Sequence, residues 1–130
     1  NRLIVFTSIN GKVIDNSPAN ALVVSNTYAN GKGILIFDGP IDYIREDSYC
    51  NNSLLSSIVI PNSVTMIKGG AFSNCCNLKC VTIPNSVTEI EENAFEGYSS
   101  LTSISIPESV TEIGNEAFRD CSSLKSIHQF

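Results

Sequence analysis

IPNSVTMIKGGAFSNCCNLKCVT (residues 60–82), IPNSVTEIEENAFEGYSSLTSIS (83–105) and IPESVTEIGNEAFRDCSSLKSIH (106–128) are three copies of one 23-residue unit, aligned without a gap. The same residue types return at fixed offsets. Ile60, Ile83 and Ile106 open the copies, and Pro61, Pro84 and Pro107 follow. Val64, Val87 and Val110 come next, then Ile67, Ile90 and Ile113. Ala71 with Phe72, Ala94 with Phe95, and Ala117 with Phe118 sit mid-copy, and Leu78, Leu101 and Leu124 precede Val81, Ile104 and Ile127. The positions between are polar or variable. A unit with so few apolar residues cannot bury a core of its own. Stacked on a copy of itself it can, because each apolar side chain then meets its equivalent in the next coil. The pattern predicts a solenoid.

The 23-residue period and the segment Leu101-x-x-Ile104-x-Ile106 match the L-x-x-L-x-L strand of leucine-rich repeats. Alternation turns Ile104 and Ile106 inward and Ser103 and Ser105 outward. The blocks IPNSVTEIEENAFEGYSSLTSI and IPESVTEIGNEAFRDCSSLKSI resemble the BspA-like leucine-rich repeats of bacterial surface proteins, a family also found in some protists. The resemblance covers roughly the last 70 residues and extends more weakly toward the N-terminus. It implies an α/β solenoid: a right-handed superhelix with a parallel β-sheet on its concave face and short helical turns on its convex face. In each copy, Val81, Thr82 and Ile83 or their equivalents form the concave strand. Pro84, Asn85 and Ser86 turn the chain, since Pro cannot donate to a ladder. The β-branched, alternating run 87–90 suits a second, shorter strand. Residues 93–96 and 116–119 suit one helical turn, and the serine pairs 99–100 and 122–123 return the chain to the next strand.

Working back toward the N-terminus, residues 37–59 are a degenerate copy. Ile41 stands for the Val, Ile44 for the Ile, Tyr49 for the Phe, Leu55 for the Leu, and Ile58 for the Val or Ile. Atypical end copies are expected where a stack meets a cap. Residues 1–36 read as a β-hairpin cap. Strand-like runs at 3–6 and 22–28 flank a loop at 15–20, and Asn10 with Gly11 signals a two-residue hairpin before Val13 and Ile14. Asn30, Gly31, Lys32 and Gly33 turn the chain into residues 34–37. Stepping back 23 residues from Ile58 and Ile60 lands on Leu35 and Phe37, so this run is expected to supply the first strand of the repeat sheet, its edge covered by the preceding hairpins. The organisation is therefore a cap at 1–36 leading into the first sheet strand, then a solenoid at 37–130 with regular copies at 60–82, 83–105 and 106–128.

The 130 residues make one domain. Charged residues are 16%, and the net charge is -5. No basic stripe exists to neutralise phosphates, which argues against nucleic acid and against an anionic membrane surface. No apolar run approaches the ~20 residues of a spanning helix. The opening NRLIVFTSINGK has neither the long apolar run nor the cleavage site of a signal peptide, and reads as the start of a trimmed or mature domain. Gln129 takes the place of Ile106 in the repeat, which suits a natural end and a cut array alike.

Residues that could carry chemistry resolve mostly into structure. Cys75 and Cys121 share one repeat position and read as small buried hydrophobes, ~10 Å apart and beyond disulfide reach. Cys80 points outward from its strand, and a local bridge from Cys50 to Cys75 or Cys76 stays open. Cys75, Cys76 and Cys80 do not form a zinc pattern. Glu89 and Glu112 stack with Glu91, Glu92 and Glu116 nearby, but no calcium-loop glycine spacing accompanies them, and the better reading is a solvated acidic face. With His128 the one histidine, no Ser-His-Asp or Cys-His set can form. Gly31 and Gly33 lack the helix and acidic partner of a nucleotide site. The chain is thus expected to be no enzyme and to hold no metal or cofactor.

Function is expected on the outward side of the concave strands: Ser57 and Val59, Cys80 and Thr82, Ser103 and Ser105, Ser126 and His128. These positions are small and nearly uncharged, poor in the aromatic and Arg anchors of tight interfaces. They suit weak, extended contact. The family resemblance implies a secreted or cell-surface adhesion module that binds host matrix or cell-surface proteins. A structural spacer or display stalk is the alternative. A glycan-binding module ranks third, because Tyr28, Tyr43, Tyr49 and Tyr98 fall mostly in cap or core.

Overall fold

The structure, a computed structural model, describes residues 2–14, 17–97, 101, 103–121 and 126–129. Its strands are β1 (Leu3–Ser8), β2 (Val23–Ala29), β3 (Lys32–Phe37), β4 (Tyr43–Ile44), β5 (Leu55–Val59) and β6 (Met66–Ile67). They continue with β7 (Cys80–Thr82), β8 (Glu89–Ile90), β9 (Ser103–Ile106), β10 (Glu112–Ile113) and β11 (Ser126–Gln129). Each repeat contributes one longer and one two-residue strand. The short strands β4, β6, β8 and β10 pair in parallel, each residue beside its equivalent 23 positions away, as Ile44 with Ile67, Ile67 with Ile90 and Ile90 with Ile113. The longer strands pair the same way, Ile58 with Val81 and Ile104 with Ile127. This is a leucine-rich-repeat fold with parallel sheet.

One core runs through the stack. Val64, Val87 and Val110 are buried, as are Ile44, Ile67 and Ile90, and Leu55, Leu78 and Leu101. The rings of Tyr49, Phe72, Phe95 and Phe118 form a column, stacked at centroid distances of 5.5, 5.4 and 5.5 Å and within 12° of parallel. At the far end of the short-strand sheet Ile113 is 45% exposed, where among the described residues no further strand pairs with β10.

The helical turns expected around residues 93–96 and 116–119 are not formed. No helix occurs among the described residues. Successive β-turns take their place: Ala71 N bonds Lys68 O, Ser73 N bonds Gly70 O, and Cys75 N bonds Phe72 O. The intervening N–H groups bond outward to the next coil, Phe72 to Ala94 O at 2.9 Å and Asn74 to Glu96 O at 2.8 Å. The cause is a left-handed residue at every fourth position. Asp47, Gly70, Asn93 and Glu116 have φ of 54°, 66°, 58° and 61°, and Asn51, Asn74, Gly97 and Asp120 have 60°, 57°, 80° and 58°. A helix needs φ near −63° throughout, whereas φ > 0 at the third residue suits a tight turn. Glycine, Asn and Asp accept it most readily.

The cap differs from the expected hairpins. The residues 34–37 expected to be the first repeat strand do lie in the sheet, within β3, but they do not neighbour β5. The order is β2-β3-β1-β5-β7, so β1 is inserted between β3 and β5 and pairs antiparallel with both. Phe6, not Leu35, is the partner of Ile58. Asn10 and Gly11 do turn the chain, with Gly11 N on Ser8 O, but Val13 and Ile14 form no strand, so no hairpin follows. The Ser8 hydroxyl instead ties off the loop by donating to Lys12 O at 2.7 Å. A tight hairpin joins β2 to β3 through Asn30 and Gly31, both at positive φ (53° and 78°), as the favoured two-residue turn requires. The short-strand sheet is covered separately: Ala19 bridges Ile44, and Arg45 N donates to Pro18 O at 2.7 Å.

Candidate binding face

Alternation on the longer strands sets the face. On β5, Leu55 and Ile58 are buried while Ser57 is half-buried and Val59 45% exposed. Cys80 and Thr82 are exposed on β7, in register with Ser57 and Val59. Ser103 and Ser105 pair with Ser126 and His128. Ser105 is exposed, and Ile104 beside it is buried. The eight expected residues thus occupy equivalent register positions, but on two separate ladders. A single continuous sheet was expected. Instead, β7 and β9 are not bonded neighbours among the described residues, and a groove of about 360 Å³ lies between them, lined by Cys80, Thr82, Ile83, Ile104 and Ser105. The same coils stay joined elsewhere, Phe72 N to Ala94 O and Ile67 beside Ile90. The Ser57 hydroxyl is already engaged, 2.6 Å from the Thr7 hydroxyl, which also lies 2.7 Å from Ser56 Oγ. Tyr98 and the serine pairs expected to return the chain lie outside the described residues.

The face extends into the cap, which sequence reasoning missed. Val5 is the cross-strand partner of both Ile34 and Val59, and Leu3 is the partner of Ile36. Partners share a side of the sheet, so Leu3, Val5, Ile34, Ile36 and Val59 make one aliphatic patch on the face opposite the buried Ile4, Phe6 and Leu35. The signal was there: Leu3-Ile4-Val5-Phe6 and Ile34-Leu35-Ile36-Phe37 are apolar at every position, where a one-sided strand would alternate. None of the 13 carboxylates falls on β1, β2, β3, β5, β7, β9 or β11.

The acidic residues gather elsewhere. Glu89 and Glu112 are register partners on the short strands, and a groove of about 570 Å³ nearby is lined by Glu46, Asp47, Glu91 and Glu92. Glu91 is partly used, accepting the Gly69 N–H at 3.0 Å. Among the described residues no group of three or more His, Cys, Asp or Glu side chains is placed to hold a metal ion. The thiols of Cys75 and Cys121 donate to the carbonyls of Tyr49 and Phe95 at 2.9 and 3.1 Å; Cys75 is buried as expected, whereas Cys121 is only partly buried against the core. Cys50 is an unbridged thiol, and the local bridge left open by the sequence is not formed. Burial, with help from Asp47, pushes its pKa up, the direction of an unreactive thiol. No described helix is long and apolar enough to cross a membrane.

These features have close parallels. None of the curated proteins matches the chain. Among solved structures, it is 43% identical to a leucine-rich cell surface protein of Faecalibacterium prausnitzii, over 64% of this chain and 22% of that one, with a TM-score of 0.62. It is 33% identical to the pneumococcal vaccine antigen PcpA, over 58% of this chain and 19% of that one, at a TM-score of 0.55. The chain therefore spans about a fifth of the length of these two relatives. A leucine-rich repeat protein of Bacteroides capillosus, 23% identical, shares the fold across 95% of this chain and 91% of its own, with a TM-score of 0.65. The model of the BspA type leucine rich repeat region matches residues 35–129 in six copies. The chain belongs to the BspA-type leucine-rich-repeat family.

Proposed function

We propose that the chain is a non-catalytic protein-binding module of a cell-surface or secreted leucine-rich-repeat protein, working in adhesion through the face of its longer strands. The observation that carries this reading is the character of that face. Small uncharged side chains recur at coil spacing on strands without a carboxylate, backed by a buried apolar core. Such a surface favours many weak contacts over one deep pocket. Its likeness to a leucine-rich cell surface protein and to a pneumococcal vaccine antigen supports the location. Host matrix or cell-surface proteins are the partners this reading names. The spacer reading draws on one observation, that the Ser57 hydroxyl is already satisfied by Thr7. The glycan reading is the weakest, since Tyr28 is held at Ser8 N and packs on Phe6, Tyr49 is in the core, and Lys68 covers the Tyr43 ring at 4.3 Å.

The test is an array of immobilised matrix proteins and glycans, probed with the 130-residue chain and with Thr82→Glu and Ser105→Glu. Saturable binding to a protein, weakened by these charges, is the expected result. Silence on the whole array would favour the spacer, and binding to glycans alone would favour the third reading.

A further inference from the structure

The repeats account for the small polar half of the face but not for its aliphatic half. Leu3 and Val59 are 43% and 45% exposed, and Val5, Ile34 and Ile36 between them are half-buried. An antiparallel cap with a solvated outer face would alternate apolar and polar residues, and β1 and β3 do not. The register of the cap is also symmetric. Ile4, Leu35 and Asn26 lie side by side across β1, β3 and β2. About that line Leu3 balances Val5, Ile36 balances Ile34, and Ser25 balances Thr27. The charges follow the same rule. Lys32 and Asp38 stand three residues to either side of Leu35, both exposed, in the outward row of Ile34 and Ile36. Sheet pairing holds Asp38 there: its N–H donates to Leu22 O at 2.9 Å, and its carboxylate accepts the Leu22 N–H at 3.2 Å. Neither β1 nor β2 carries a charged residue.

We infer that the cap pairs face to face with a second copy of this chain, across a two-fold axis that runs over Ile4, Leu35 and Asn26. In a two-fold contact, a residue that meets another is met by it in return. Turning the sheet over about this line satisfies that condition on all three strands. Ile34 falls on Ile36, Leu3 on Val5, Ser25 on Thr27 and Lys32 on Asp38, each contact made twice. A partner of unrelated sequence needs no such balance. The Lys–Asp pairs also fix the direction, since a two-fold along the strands would set Lys32 on Lys32. About ten outward positions, each ~6.8 by ~4.8 Å, give roughly 300 Å² of sheet per copy. That is under half of the ~800 Å² per partner of a standard interface, so the pair is weak. The same rotation lays β5 over β5. Pairing therefore shields Ser57 and Val59 and competes with a partner protein for that end of the repeat face. The pairing itself does not rest on the protein-binding reading.

Sedimentation equilibrium and methyl NMR follow the chain from about 20 µM to about 1 mM at physiological salt, where charges more than ~8 Å apart are screened. The mass should rise with concentration toward that of two chains, and the methyl signals of Leu3, Val5, Ile34 and Ile36 should shift with it. Lys32→Glu and Asp38→Lys should each weaken pairing about tenfold, because the two-fold counts every change twice. Mixed in equal amounts, the two variants should pair at least as tightly as the parent, since each altered charge then faces its opposite. A chain carrying both changes should regain the parent's affinity. Glu108→Lys, at an exposed position off the cap, should have little effect. Lys32 is exposed, so Lys32→Glu tests the pairing even if Asp38→Lys loosens the end of β3, and circular dichroism reports on both folds. A single-chain mass throughout, shifts confined to other methyls, or a mixture of folded variants no tighter than either alone would overturn the inference. Failure to pair would leave the protein-binding reading standing, and silence on the array would leave the pairing standing.

Discussion

Replacing Phe95 with Ala removes the middle of the aromatic column. Its ring is fully buried and lies between Phe72 at 5.4 Å and Phe118 at 5.5 Å. Buried Phe→Ala changes cost about 3–5 kcal/mol through lost transfer energy and the cavity left behind. Ring pairs contribute ~0.5–1.5 kcal/mol each beyond area, so the two contacts account for about 1–3 of that total. Phe118 has one stacked ring among the described residues and is only partly buried. Its loss should cost about half as much, ~1.5–2.5 kcal/mol. Urea unfolding followed by far-ultraviolet circular dichroism measures both, with an unchanged m-value as the check that one transition is being compared. A double-mutant cycle on Phe72 and Phe95 should return a coupling of ~0.5–1.5 kcal/mol. Equal losses at Phe95 and Phe118, or a coupling of zero, would mean that coil-to-coil stacking does not hold the molecule together.

Gly33→Ala should destabilise by ~1–3 kcal/mol, because the added methyl would overlap the Phe6 ring that packs over this glycine across the β1–β3 pair; a thermal melt reads the loss, and an unchanged midpoint would place the ring elsewhere. Glu116→Gly should stabilise. It relieves ~1–2 kcal/mol of left-handed strain at φ 61° against ~0.5–1 of added chain entropy, and the exposed pair with Arg119 that it removes is worth little. A gain of about 0.5–1 kcal/mol in the same urea assay is expected, and a loss would mean that the Glu side chain contributes more than its backbone costs.

Much of the architecture was readable before any coordinates. Val64, Val87 and Val110 are buried, Ser105 and Thr82 are exposed, and Glu89 lies beside Glu112 as the period demands. The turns were misread as helical for a definable reason. Glu91, Glu92, Asn93, Ala94, Phe95 and Glu96 include good helix formers, and local propensity is a weak prior. The stronger signal was the return of Asp, Gly or Asn at 47, 70 and 93 and of Asn, Gly or Asp at 51, 74, 97 and 120, a spacing of four that marks left-handed turns. Half of the candidate face was found by alternation within the repeats. The other half, on β1 and β3, required knowing which strand neighbours β5.

The sequence by itself determined the period, the inward and outward sets of the repeats, and the family. A unit that can bury its apolar residues only against its own copy leaves a single arrangement, and 23-residue spacing expresses it directly. The tertiary structure alone decided that β1 enters between β3 and β5, that β7 and β9 part, and that an aliphatic patch faces outward in the cap. Strands without a repeat carry no register in their spacing. The runs 3–6 and 34–37 are apolar on both faces, so several pairings bury them comparably, and the choice falls to long-range hydrogen bonding and to Phe6 closing over Gly33.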